Sequence, residues 1–310
     1  MSKELATVDE APRDVVTVEV TTKKGATVQA RVPAALAEAY PSLGQLDEIA
    51  ELLAEVFEDT DATLSITDLP RAKVPSGESK FFQVGDDAVK AIEGILIVRQ
   101  ERRNYWEKSI SEGGGNQAPD CFSRDGVHGR GVNGQGSTDN PSGLCADCPF
   151  AQWAENGENR VPPPCKPQEA QLILTKDSAF PLLLTVPRTS MKASRDYVKR
   201  TLLAGKMKSP VEVVTKISMR TEKSAENLDY NVLVYEIAED ITAGMTREEK
   251  RAYKIAPLTL AEEFRGILTN LDTSRDTEAP ERSTPVTVDP EGGFSVADDA
   301  IDDYAGQAAG

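Results

Sequence analysis

Residues 121–165 read CFSRDGVHGRGVNGQGSTDNPSGLCADCPFAQWAENGENRVPPPC, and they hold all four cysteines of the 310-residue chain. The spacing is Cys121-x23-Cys145-x2-Cys148-x16-Cys165. From Ser111 to Pro167, Gly, Asn, Ser, Asp and Pro dominate and no hydrophobic period survives. A connection this long is uncommon inside a compact domain unless something other than an apolar core orders it. A Cys-x2-Cys pair wraps two thiolates onto one metal through a tight knuckle, and two flanking cysteines complete a tetrahedron. The expectation is therefore a structural Zn2+ on Cys121, Cys145, Cys148 and Cys165. Four protein ligands leave no open position for a catalytic water, and the ion supplies the ordering that apolar side chains do not.

Two rival readings compete with the metal site, and one variant of it exists. Two disulfides would suit a secreted chain, and nothing here suggests secretion. A thioredoxin-like role for Cys145 and Cys148 needs a helix after the motif, against which Pro149 and its polar surroundings argue. His128, the sole histidine, offers an alternative to one cysteine ligand.

Outward from this block the pattern becomes regular. Val16, Val18 and Val20, then Val28, Ala30 and Val32, alternate with polar residues around Lys23-Lys24-Gly25, which reads as a hairpin. A helix follows Pro33, and a second over Leu46 to Phe57 places Leu46, Ile49, Leu53 and Val56 on one face. Ala62 to Ile66, Phe81 to Val84 and the apolar Ala91 to Val98 read as strands. Beyond the cysteines, Leu172 to Thr175 and Pro181 to Val186 read as strands joined at Lys176-Asp177-Ser178. Thr189 or Ser190 caps a helix to Leu203 that Gly205 closes. Val211 to Met219 alternates as a half-exposed strand with Tyr230 to Ile237 as its antiparallel partner. Thr246 with Glu248 and Glu249 starts one later helix, and Thr259-x-x-Glu262 caps another.

The net charge is −16, but it is unevenly spread. Residues 272–310 carry two Lys/Arg against ten Asp/Glu, whereas residues 186–223 carry ten against three. A basic stripe inside an acidic chain is a footprint for an anionic partner. Lys192, Arg195, Lys199, Arg200 and Lys206 form its core. Tyr105, Trp106, Phe122, Phe150 and Trp153 cluster near the cysteines with Arg102, Arg103, Arg124 and Arg130. Single-strand binders combine a basic groove with aromatic platforms for bases. Catalytic constellations are missing from the sequence: one histidine anchors no nucleophile system, and no Walker-type loop occurs. Gly129-Arg130-Gly131-Val132-Asn133-Gly134 matches GxGxxG without a preceding strand or following helix, and it is discounted. The apolar runs are too short to span a bilayer, and Met1 to Asp14 does not read as a leader. The expectation is a non-enzymatic protein of the bacterial host cytoplasm that binds single-stranded DNA and no membrane. The alternative is a zinc-stabilised adaptor or inhibitor acting on a host or replication protein.

Residues Ile95 to about Asp240, roughly half the chain, resemble a group of phage- and prophage-encoded proteins, some of them described as single-stranded-DNA-binding. Arg103-Asn104-Tyr105-Trp106, Cys121-Phe122-Ser123-Arg124-Asp125-Gly126 and Cys145-Ala146-Asp147-Cys148-Pro149-Phe150 carry the resemblance, with Trp153, Cys165 and Pro187-Arg188-Thr189-Ser190. The general plan also looks like that of phage replication single-strand binders, in which an OB-fold carries a zinc-bearing insertion. In those proteins an acidic tail recruits replication partners, so the resemblance implies replication or recombination proteins as partners of residues 272–310. Two departures stand. The best-known phage version takes one zinc ligand from histidine with tighter spacing, and this sequence lacks an aromatic tip after Tyr304. The expected class is α+β: an N-terminal hairpin and helices (1–60), an OB-like β-barrel or antiparallel sheet core (61–271) with a Gly-rich zinc-binding insertion (111–167), and a disordered acidic tail (272–310).

Overall fold

The computed structural model describes residues 14–21, 27–49, 51, 69–75, 79–106, 119–131, 143–156, 159–161, 163–176, 178–223, 229–270, 286–288 and 294–296. The strands are β1 (Val15–Thr21), β2 (Thr27–Pro33), β3 (Arg71–Lys73), β4 (Phe82–Val84), β5 (Asp87–Val89), β6 (Ala91–Tyr105), β7 (Cys121–Ser123), β8 (Arg130–Gly131), β9 (Ala154–Asn156), β10 (Asn159–Val161), β11 (Lys166–Thr175), β12 (Leu182–Val186), β13 (Val213–Lys223), β14 (Asp229–Asp240), β15 (Val286–Val288) and β16 (Phe294–Val296). The helices are α1 (Ala34–Ala39), α2 (Pro41–Gly44), α3 (Met191–Asp196, continued as a π-helix over Tyr197–Lys206) and α4 (Arg247–Asn270). The expected turn at Lys23 to Gly25, the second half of the Leu46 helix, the strand at Ala62 to Ile66 and most of the tail lie outside the described residues. Within 272–310 the described residues are β15 and β16, which pair antiparallel.

The main sheet runs β14-β13-β6-β11-β12-β3-β4-β5, with β7 on the far end of β6 and β8 on β7. Its pairings are antiparallel except that of β12 with β3. The fold is α+β, as expected, and of the two expected cores the described strands form a mostly antiparallel sheet, with no closed barrel among the described residues. The order is open, with β14 and β5 at its ends among the described residues. The reason is that both faces of the sheet find cover without closure. On one face, Ile95, Ile97, Val98, Leu172, Leu174 and Leu183 pack with the β1–β2 hairpin (Val18, Val20, Ala30, Val32) and with α4 (Tyr253, Ala256, Leu260, Phe264, Leu268). On the other, Ile92, Leu96, Ile173, Leu184, Ile217 and Leu233 pack with Phe82 and with Met191 of α3. A sheet buried on both sides has no apolar face left to drive it into a barrel.

The two faces explain β6. Strict alternation would send Ile97 and Val98 to opposite sides, yet both join one cluster. Leu172 pairs with Val98 and Ile173 with Leu96, so Ile97 is the extra residue of a bulge. Nearby, Gly94 is paired on both edges, with Thr175 of β11 and Thr215 of β13. A Cβ there would stand 2.2 Å from the Leu174 carbonyl oxygen and 2.6 Å from Ile173 Cγ2. Glycine is required by this close approach of main chains.

Helix α4 corrects the expectation of two helices. The helix starts at Thr246 as expected, where Thr246 and Glu249 form a reciprocal cap, the Thr246 N–H donating to Glu249 Oε2 (2.6 Å) and the Glu249 N–H to Thr246 Oγ1 (3.2 Å). The helix then continues through Pro257 and past Thr259 to Asn270. An interior proline costs about 3 kcal/mol, and the stripe of six core residues Tyr253, Ala256, Leu260, Ala261, Phe264 and Leu268 outweighs it.

Helix α3 is held to the sheet by polar contacts. Ser190 does not cap it; Ser190 Oγ instead accepts the Leu233 N–H of β14 at 2.9 Å. Ser194 Oγ donates to Glu169 Oε1 (2.6 Å), and Arg99 donates to both Glu169 oxygens (2.6 and 3.0 Å). Gln171 Nε2 reaches Glu169 and Ser194, and the Tyr235 hydroxyl donates to Gln171 Oε1. Gly205 does not close the helix: it lies inside the π-helical segment, and Met207 at φ 53° ends it. No helix among the described residues is long and apolar enough to cross a membrane.

The Gly94 geometry predicts that Gly94→Ala lowers unfolding free energy by about 3 kcal/mol or more, measured by urea denaturation. A change below about 0.5 kcal/mol would contradict the close approach.

Candidate metal centre

Strand β6 outruns the apolar core. Its last residues, Arg103 to Tyr105, have β7 on one edge and the start of β11 on the other. Tyr105 pairs with Cys121, and Asn104 with Lys166, which directly follows Cys165. Cys121 and Cys165, far apart in sequence, are thus delivered to either side of one strand end. Paired residues in antiparallel strands share a face, so Tyr105, Cys121 and, two residues back, Arg103 look the same way.

The middle pair arrives by two further contacts. The Cys145 N–H donates to the Val127 carbonyl (2.8 Å) and the Gly129 N–H to the Gly143 carbonyl (2.6 Å), docking the Cys-x2-Cys segment beside β7. The Phe150 ring stacks on Tyr105 with centroids 4.5 Å apart, and the Phe150 carbonyl accepts the Cys165 N–H at 2.9 Å. Between Cys145 and Ala151 the chain makes successive tight turns: the Cys148 N–H donates to the Cys145 carbonyl and the Ala151 N–H to the Cys148 carbonyl.

All four cysteines line one cavity of about 20 Å³, together with Arg103, Tyr105, Phe122, Ser123, Gly129 and Phe150. That volume is the size of one water-sized sphere, room for a single ion and too small for an organic molecule. The donors are four sulfurs, a set that selects soft or borderline metals. Gly129 leaves the wall bare: a Cβ there would sit 3.2 Å from Cys121 Sγ and 3.7 Å from Cys145 Sγ. Among the described residues no three His, Cys, Asp or Glu side chains are already grouped to hold a metal ion. Strand pairing and main-chain hydrogen bonds bring the four cysteine segments together. The finer grouping turns on four χ1 angles with several staggered wells each.

The four are free thiols. Burial pushes the Cys165 thiol up to about 12; the Arg103 guanidinium opposes this, and the three other sulfurs add to it. Burial also raises Cys121, with Cys145 and Cys148 contributing and the Arg130 N–H opposing. His128 does not turn to the cavity. Its Nδ1 lies 2.7 Å from Asp125 Oδ2. Asp125 is the keystone of the β7–β8 turn: Oδ1 accepts the Val127 N–H (2.8 Å), the His128 N–H (2.7 Å) and the Ser123 hydroxyl (3.0 Å). Burial alone would raise its carboxyl, but these bonds outweigh burial and hold it far below the usual carboxylate range.

The residues expected to contact nucleic acid divide into separate groups. Arg103 and Tyr105 line the cysteine cavity, Arg102 and Trp106 are half-buried and do not line it, and the Arg124 guanidinium lies 5.9 Å from the centre of the Phe122 ring. Arg130 is exposed on β8, and Trp153 is 52% exposed. Lys192, Arg195, Lys199, Arg200 and Lys206 are all exposed on α3, and none lines the cysteine cavity. Gly129 and Asp125 escaped the sequence reading as site residues. Gly129 stood in the discounted glycine motif, and Asp125 in a polar run whose turn geometry no periodicity reveals. Comparison with known proteins finds no matching family model, no matching curated protein and no matching solved structure.

The Asp125 geometry gives a pH prediction. A carboxyl held below its unfolded value stabilises the fold above that value and loses its contribution as pH falls toward the folded one. The thermal-stability advantage of the wild type over Asp125→Asn is therefore full at neutral pH and shrinks below about pH 4. An advantage unchanged at about pH 3 would contradict it.

Proposed function

We propose that the chain is a non-catalytic single-stranded DNA-binding protein of phage-type replication or recombination. A structural zinc ion on Cys121, Cys145, Cys148 and Cys165 orders its cysteine segment. The observation that carries the DNA reading is the exposed row Lys192, Arg195, Lys199, Arg200 and Lys206 on a helix pinned to the sheet through Ser190 and Ser194. In a chain of net charge −16, five exposed cations on one rigid element are a localised anion-binding surface. Trp153, half-exposed after the Cys-x2-Cys turns, is suited to stacking on a base.

When bound, the zinc ion would cross-link the β6 end, β7 and the Cys145 turn, a structural role only. Arg103, on the same cavity, would offset the negative charge of four thiolates. The acidic residues 272–310 would be offered to replication or recombination proteins in the host cytoplasm.

Fluorescence anisotropy of a labelled oligo-dT with the full chain tests the reading. Binding is expected to prefer single strands over duplex and to weaken steeply with salt. The triple variant Lys192→Glu, Arg195→Glu, Lys199→Glu is expected to bind at least about tenfold more weakly. A flat signal at low salt for the wild type would overturn the proposal.

A further inference from the structure

Where α3 passes the edge strand β14, the ten residues Tyr197–Lys206 are π-helical. π-Helical turns are rare, short and concentrated at functional sites, so a segment this long is unusual. It ends on Met207 at φ 53°, left-handed backbone that a side-chain-bearing residue seldom adopts. An irregular helix with a strained terminus persists only when its surroundings hold it. Here the holding contacts are those of Ser190, Ser194 and Tyr197 with the sheet.

The π-helical residues open onto a groove of about 320 Å³. Tyr197, Arg200 and Thr201 line one wall, and Arg220, Val234 and Tyr235 the other. Its size falls at the lower end of the range for small organic guests. The Tyr197 and Tyr235 rings are stacked at 5.5 Å with 24° between their planes. Both hydroxyls are engaged elsewhere, Tyr197 with Thr215 (2.9 Å) and Tyr235 with Gln171 (3.3 Å). Tyr197 is buried (3% exposed), so Tyr235 and Val234, both half-buried, are the apolar part of the groove that water reaches, and Asp196 adds a carboxylate to the helix wall. The lips carry charge. The Arg200 side chain is 78% exposed and lies 3.4 Å from Asp196, and that of Arg220 is 65% exposed and paired with Glu222. Each carboxylate steadies its guanidinium while leaving most of it open to water.

We propose that this groove seats one nucleotide of the bound single strand, its base against Tyr235 and Val234 and its flanking phosphates on Arg200 and Arg220. The proposal rests on the single-strand reading above and gives it a location. A flat apolar guest with an anion on each side fits this apolar surface between two arginines. A nucleotide within a strand has that chemistry, and the remaining α3 cations extend the phosphate track on one side. Arg220 comes from β13, so the site joins two elements that the basic helix alone does not reveal.

The test uses the full chain, labelled oligo-dT and a salt series, with far-UV circular dichroism and melting temperature confirming that each variant is folded. The double variant Arg200→Ala, Arg220→Ala should bind about tenfold more weakly or worse. The slope of log affinity against log salt should flatten by about 1.4, the value for two single-strand phosphate contacts. Thr201→Trp fills the groove without altering charge and should weaken binding about tenfold. Arg200→Lys, Arg220→Lys should keep most of the salt slope. If the wild type binds and both Thr201→Trp and the double alanine variant bind equally well, the groove is not the seat, while the single-strand reading stands. In that case an acidic peptide becomes the occupant to try. If the wild type itself fails to bind, the single-strand reading falls and this proposal with it.

Discussion

The pairing of β6 with β11 is the constraint on which the molecule depends. From Gly94 opposite Thr175 to Asn104 opposite Lys166, one antiparallel ladder runs from the middle of the core to the edge of the cysteine segment. Its inner half is apolar on both faces and anchors the β1–β2 hairpin and α4 on one side and α3 on the other. Its outer half holds Asn104 and Lys166 side by side, at the two ends of the cysteine segment. A connection whose ends are already joined loses far less entropy on ordering than a free segment of the same length. The core therefore offsets part of what a single ion would otherwise have to supply.

The same ladder organises the polar interior. Arg99 on β6 and Glu169 on β11 form a two-toothed ion pair to which Ser194 of α3 is added. Removing one partner from such a pair leaves a charge in a poor solvent, at a cost of about 3–5 kcal/mol, so the network fixes where α3 sits. That fixation separates two tasks along one helix: Ser190 and Ser194 face the sheet, while Lys192, Arg195 and Lys199 face water. It also brings the π-helical half against β14, where Arg200 meets Arg220 across the groove.

Much of this was legible in the sequence where a period or a turn residue carried the information. The β1–β2 and β13–β14 pairs follow from alternation, the β11–β12 pair from two short runs joined by a polar turn, and the start of α4 from Thr246 with its following glutamates. The convergence of the cysteines was legible only as chemistry, because no hydrophobic pattern links Cys121 to Cys165. What could not be read depended on partners distant in sequence. Ser190 has a hydroxyl fit for capping, yet the Leu233 N–H claims it. Pro257 looks like a break, but burial along α4 overrides it. The open sheet forms rather than the barrel because the terminal segments cover a face that the core residues alone would have had to hide. The π-helix leaves no periodic signature, and with it the groove and Arg220 stayed unseen.

The central claim is that the ladder between β6 and β11 brings four thiols to one ion-sized cavity. X-ray absorption at the zinc edge, on the full chain purified under reducing conditions, tests it most directly. The account predicts about one zinc per chain with four sulfur neighbours at about 2.3 Å. A nitrogen neighbour in place of a sulfur would return His128 to the ligand set, and a chain that retains no zinc would remove the ion altogether; either result would contradict it.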